Sequence, residues 1–116
     1  MEIVRREFQG VVSLSLRGRL DDASAPLAEA PLRRFLDSDK ERLLIDLTEL
    51  ERISGDGFKV LLAAGEGVAR KRGALVLCGL RADVKESLDT GGLTQLFTVA
   101  GTFDEGLRLL GARRGS

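Results

Sequence analysis

Few residues in this 116-residue chain carry side chains suited to covalent or acid–base chemistry. There is no histidine. That removes the commonest general base, the Ser-His and Cys-His nucleophile pairs, and most zinc sites. Cys78 is the single cysteine, so no intramolecular disulfide can form. Its apolar setting, Leu75-Val76-Leu77-Cys78-Gly79, reads as a small buried hydrophobe rather than a thiolate nucleophile. What remains is Asp46, closing an apolar run, and the segment Ser54-Gly55-Asp56-Gly57. Asp46 and Asp56 are oxygen donors of the kind Mg²⁺ takes, but no nucleophile–base pair accompanies them. Gly55-Asp56-Gly57 lacks the Gly-Lys-Ser/Thr ending of a phosphate-binding loop and the glycine spacing of a dinucleotide fingerprint. No catalytic residue, metal site or cofactor is expected, and the chain does not read as an enzyme.

The segment is placed by the elements around it. Leu43 to Leu47 is apolar on both faces, as in a central parallel strand. Asp46 within it is either a functional carboxylate or a tether for a neighbouring loop. Thr48 to Arg52 reads as a polar loop with Leu50 tucked inward. A helix from about Asp56 to Lys71 follows, with Phe58, Leu61, Leu62, Gly65, Val68 and Ala69 on its apolar face. The turn into that helix presents free backbone N–H groups and the positive end of a helix dipole. Ser54 and Asp56 are of the types that cap such a start.

Upstream, Glu2–Phe8 and Val11–Arg17 read as two strands joined by a Gln9-Gly10 turn. A helix from Ser24, its N-cap, to about Asp37 should bury Leu27, Leu32, Phe35 and Leu36. Pro31 inside it should kink it near Ala28 or force a restart at Ala30-Pro31. Downstream come a strand at Ala74–Cys78, a short helix over Ala82–Asp89 stopped by Gly91-Gly92, and a brief strand ending near Val99. The last helix opens with Thr102 and Glu105 at capping-box spacing and buries Phe103, Leu107 and Leu110. Ala112 to Ser116 reads as frayed. The order β-β-α-β-α-β-α-β-α predicts an α/β fold over 1–116 as a single domain. Its sheet is mixed but mostly parallel and opens with a β-hairpin, and about four helices pack mainly on one face.

Lys+Arg and Asp+Glu balance at 18 each. No overall field favours nucleic acid. The basic runs Arg70-Lys71-Arg72 and Arg113-Arg114 suit helix C-termini. The start of the chain lacks a signal-peptide pattern and no apolar run is long enough to span a bilayer, so a cytoplasmic protein without membrane insertion is expected.

Several motifs, in order, resemble those of STAS domains, the anti-sigma-factor antagonist fold. They are Gly18-Arg19-Leu20-Asp21, Leu44-Ile45-Asp46-Leu47, Ile53 to Leu61, Gly73 to Leu80, and Gly91-Gly92-Leu93-Thr94-Gln95-Leu96-Phe97. The resemblance covers nearly the whole chain. It implies a non-catalytic protein–protein interaction domain whose partner is an anti-sigma factor or an ATP-binding serine kinase. In that family the serine after the loop aspartate is phosphorylated by the partner kinase, and the phosphate ends binding. Here Ser54 aligns with the family's aspartate, Gly55 with its phosphoacceptor serine, and Asp56 with the next serine or threonine. Glycine has no hydroxyl, so the implied interaction is phosphorylation-independent, or else Ser54 is a displaced acceptor. Asp56 also places a fixed negative charge beside the docking surface, a weak mimic of the phosphorylated state. The implied partner-binding residues are Ser54, Gly55, Asp56, Gly57 and Lys59, with Asp21 and Asp22 from the loop after Gly18. Gly55 and Gly57 would let a partner's backbone come close. The alternative is a STAS-like cytoplasmic subunit of a lipid-transport ABC ATPase or another scaffold, which needs no phosphoacceptor. A homodimer is a further option.

Overall fold

Gln9 and Gly10 both take positive φ, 51° and 85°. That is the geometry of the tight turn whose twist matches paired strands. It folds β1 (Glu2–Phe8) back on β2 (Val11–Leu20), with Phe8 opposite Val11 and Glu2 opposite Arg17. In the computed structural model, which describes residues 1–115, β2 then pairs in parallel with β3 (Arg42–Asp46). β3 pairs in parallel with β5 (Ala74–Cys78), and β5 with β6 (Thr98–Ala100). The strand order is β1-β2-β3-β5-β6.

The parallel strands step across the sheet in one direction, so right-handed crossovers place all the connecting helices on the same face. These are α1 (Ala25–Asp37), α2 (Asp56–Arg70) and α3 (Ala82–Thr90). Phe35, Leu61 and Leu88 from them share one apolar cluster with Leu14, Ile45 and Leu77 of the sheet. α4 (Phe103–Leu109) follows the last strand and is free of that constraint. It covers the opposite face, where Leu107 packs with Leu44, Val76 and Cys78. The mixed, mostly parallel sheet with helices mainly on one face is the architecture the sequence predicts.

Five local expectations are corrected. Thr48 to Arg52 is not wholly loop: Leu50–Ile53 forms β4, pairing in parallel with Gly18–Leu20 at the end of β2. Its two apolar residues stand at its ends and are buried, while Glu51 and Arg52 between them are exposed, so no alternation announces it. α1 passes through Pro31 without a break. The carbonyl freed by the missing N–H belongs to Leu27, on the exposed side of the helix, where solvent replaces the donor. Leu27 is itself 57% exposed rather than buried, and Ala28 takes the inner position. The inner face of α2 is Gly57, Val60, Leu61, Ala64 and Val68, with Leu62 and Ala69 turned to solvent. Finally, the tail is docked through Arg114. Ala112 is buried, Arg113 N–H donates to Gln9 Oε1 at 3.0 Å, and the Arg114 guanidinium lies 4.6 Å from the Phe103 ring centre. Ser116 lies outside the described residues.

Candidate functional site

The turn into α2 follows β4, so it leaves the end of the strand that continues alongside β2. Ser54 N–H donates to the Leu20 carbonyl at 3.0 Å, and Gly57 N–H closes back on the Ser54 carbonyl at 2.9 Å. Gly55 sits between them at φ 54°, ψ −124°. A side chain is strained there, which is why this position is glycine. Neither Ser54 nor Asp56 caps the helix: Gly55 is the N-cap, with no side-chain bond of its own. The cap comes from elsewhere in the chain. Asp22, in the loop between β2 and α1, places Oδ1 2.6 Å from the Asp56 N–H.

That loop is braced from within. Asp21 Oδ1 accepts from the N–H groups of Ala23 and Ser24, each at 3.1 Å. Ser24 Oγ donates to the Arg19 carbonyl at 2.6 Å, and accepts from Asp21 N–H at 3.0 Å. Ser24 is therefore the α1 N-cap in position, but its hydroxyl serves the loop rather than the helix. The Ser24 N–H, with smaller help from its hydroxyl and the Ala23 N–H, holds the Asp21 carboxyl below its ordinary range.

Of the residues the sequence singled out, Asp22, Gly55 and Asp56 are exposed and meet at one point. Lys59 stands one turn further, its side chain 82% exposed and its Nζ 3.3 Å from Asp56 Oδ1. Such an open pair contributes little to stability. Ser54 and Asp21 are half-buried. Gly57 is buried: a Cβ on it would come within 2.3 Å of the Leu20 carbonyl oxygen. The close approach that Gly57 permits is thus made by the chain itself. From Asp56 and Lys59 a groove of about 720 Å³ runs between α1 and α2, floored by Ala25, Leu32, Val60 and Ala64.

Asp46 lies apart from this corner. Its carboxylate accepts from Thr48 N–H (3.0 Å) and hydroxyl (2.5 Å) and from the Ser15 hydroxyl (3.2 Å). It is the tether of the β3–β4 connection, at the edge of a second cleft of about 500 Å³ on the α4 side. Cys78 is buried beside it. Burial, and secondarily the Asp46 charge, push the thiol up to about 12, so it holds its proton at neutral pH. Among the described residues no group of three or more His, Cys, Asp or Glu side chains is arranged to hold a metal, and no helix is long and apolar enough to cross a membrane.

A sequence profile of the STAS domain matches residues 2–106. The chain belongs to the STAS domain family. It is 31% identical over 100 residues, 86% of each chain, to the "Putative anti-sigma factor antagonist BtrV" of Bordetella bronchiseptica. Its fold matches that of an anti-sigma factor antagonist from Mycobacterium paratuberculosis with a TM-score of 0.86, covering 94% of this chain and 92% of that one at 23% identity. An anti-sigma-factor antagonist (STAS) domain protein from Planctomyces limnophilus gives 0.85, with 95% and 98% covered at 17% identity. In this STAS domain the sequence marked Asp22 as a partner-binding residue but not as the cap of α2. Its bond to Asp56 spans 34 positions and leaves no local signal.

Proposed function

We propose that this STAS domain is a non-catalytic interaction module of the anti-sigma-factor-antagonist type, acting in the cytoplasm on an anti-sigma factor or ATP-binding serine kinase. Its docking surface is the corner at Ser54, Gly55 and Asp56, which turns over the buried Gly57, with Lys59 on the exposed side of α2 and Asp21 and Asp22 beside it. The observation that carries this reading is the exposure of that corner. Gly55, Asp56, Lys59 and Asp22 stand together at one end of the sheet, covered by no other part of the described chain. Binding there does not depend on phosphorylation, because Gly55 offers no hydroxyl.

The test is calorimetric titration of the protein against the anti-sigma kinases of its own organism, followed by incubation with ATP and mass spectrometry. Binding that survives the incubation, with no phosphate added and with Lys59→Glu weakening it severalfold, is the expected result. If none of those kinases binds, the reading is wrong. A phosphate on Ser54 accompanied by release would replace it with a switch displaced by one residue.

A further inference from the structure

We propose that a carboxylate at position 22 and a side chain at position 55 exclude one another, so that a hydroxyl introduced at position 55 alone is a poor phosphoacceptor. The functional half of this inference rests on the docking surface proposed above; the steric half does not. A Cβ built on Gly55 falls 2.1 Å from Asp22 Oδ1, 3.0 Å from its Cγ and 3.3 Å from Oδ2. Real side chains do not approach so closely, so the carboxylate would have to leave. It cannot leave without loss, because Asp22 Oδ1 is the acceptor for the Asp56 N–H and the corner supplies no side-chain cap of its own. Gly55 also sits at φ 54°, so a side chain there meets backbone strain as well.

These two obstacles come apart under mutation. Removing the Asp22 carboxylate relieves the first and leaves the second. Gly55→Ser and Asp22→Ala should each lower stability alone, yet compensate when combined. Asp22→Asn is the control: it removes the charge but keeps the bulk, so it should not rescue Gly55→Ser.

The experiment is a urea-unfolding cycle over wild type, D22A, G55S, D22A/G55S and D22N/G55S. Exclusion predicts a midpoint for D22A/G55S no lower than that of G55S, and a clearly lower one for D22N/G55S. If G55S alone fails to fold while D22A/G55S folds, the rescue is shown directly. Additive losses in D22A/G55S, or equal rescue by D22N, overturn the proposal. A second arm incubates the same proteins with a kinase that binds the wild type. Transfer of the ATP γ-phosphoryl group to the introduced hydroxyl, releasing its proton and ADP, is expected in D22A/G55S and at least tenfold slower in G55S. Equal labelling of the two overturns the functional half. If no kinase binds any variant, the docking surface itself is at fault and the unfolding cycle still decides the exclusion.

Discussion

Gly57 and Gly67 both lie in α2, and alanine at either should favour the helix, by up to about 1 kcal/mol in a helix interior and less in the first turn. What the new methyl group meets decides the sign. At position 57 it would stand 2.3 Å from the Leu20 carbonyl oxygen and 2.9 Å from the carbonyl carbon. That peptide is fixed. Leu20 is fully buried and paired with Ile53 in β4, and its carbonyl accepts the Ser54 N–H. The head of α2 must therefore lift, at roughly 1–3 kcal/mol for overpacking and about 1 kcal/mol more for a strained or broken hydrogen bond. At position 67 the obstacle is the pair of Leu36 methyl groups, 2.6 and 2.8 Å away. Leu36 is half-buried at the end of α1 and can turn to another rotamer, at a cost that roughly cancels the gain in propensity. Gly57→Ala should therefore lose about 2–4 kcal/mol, and Gly67→Ala should stay within about 0.5 kcal/mol of wild type. With a urea m-value of about 1–3 kcal/mol/M, the first lowers the midpoint by roughly 1 M or more and the second leaves it almost unchanged. Equal losses for the two variants would refute the assignment of the Leu20 peptide as the immovable neighbour.

Lys71→Met removes an ammonium that donates to the carbonyls of Phe35 (3.0 Å), Leu36 (3.3 Å) and Ser38 (3.0 Å) at the end of α1, and that lies 4.7 Å from the Phe35 ring centre. A loss of about 1.5–3 kcal/mol should appear as a lowered thermal midpoint, whereas an unchanged midpoint would mean these contacts are not held in solution. Ser13 is fully buried with its hydroxyl unpartnered. Ser13→Ala should then be neutral or stabilising by about 1 kcal/mol in urea unfolding, and a marked loss would reveal a bonded hydroxyl. Asp21 has a folded pKa below its ordinary 3.8. Its contribution is complete above the unfolded pKa and disappears as pH falls through the folded one, so the wild-type urea midpoint should drop more between about pH 5 and about pH 2 than that of Asp21→Asn. Cys78 should resist a thiol reagent in the native protein at neutral pH and react only on unfolding; prompt native labelling would contradict its burial.

The four helices and every strand but β4 were legible because their signals are local: apolar strands bounded by glycine, and a capping pair at Thr102 and Glu105. The Thr102 hydroxyl indeed accepts the Glu105 N–H at 3.1 Å. What escaped depends on distance or on very small residues. The inner face of α2 was misplaced toward Leu62 and Ala69 because the helix sits on the sheet through Gly57 and Ala64, which carry little hydrophobic signal. The tail is docked by its bond to Gln9 at the other end of the chain, a pairing with no local signature. The same holds at the candidate site. Gly55 was visible as a residue without a hydroxyl, but nothing near it in sequence shows that Asp22 holds the helix it begins.

The position of that contact follows from the topology. β2 and β4 run parallel, so both strands finish at the same end of the sheet. The loop that leaves β2 carries Asp21 and Asp22, and the loop that leaves β4 carries Ser54 to Gly57. Parallel pairing brings them together, and the Leu20 carbonyl, bonded to Ser54, fixes their spacing. Within that frame Asp21 turns inward to Ser24 while Asp22 turns outward to Asp56, so adjacent carboxylates of the same chemistry have separate tasks. One shapes its own loop and the other joins two loops into a single surface. A ligand that grips either loop therefore acts on both. A shift at Asp22 should be felt at the first turn of α2, and its removal should raise amide hydrogen exchange at Asp56 before it affects the strands beneath.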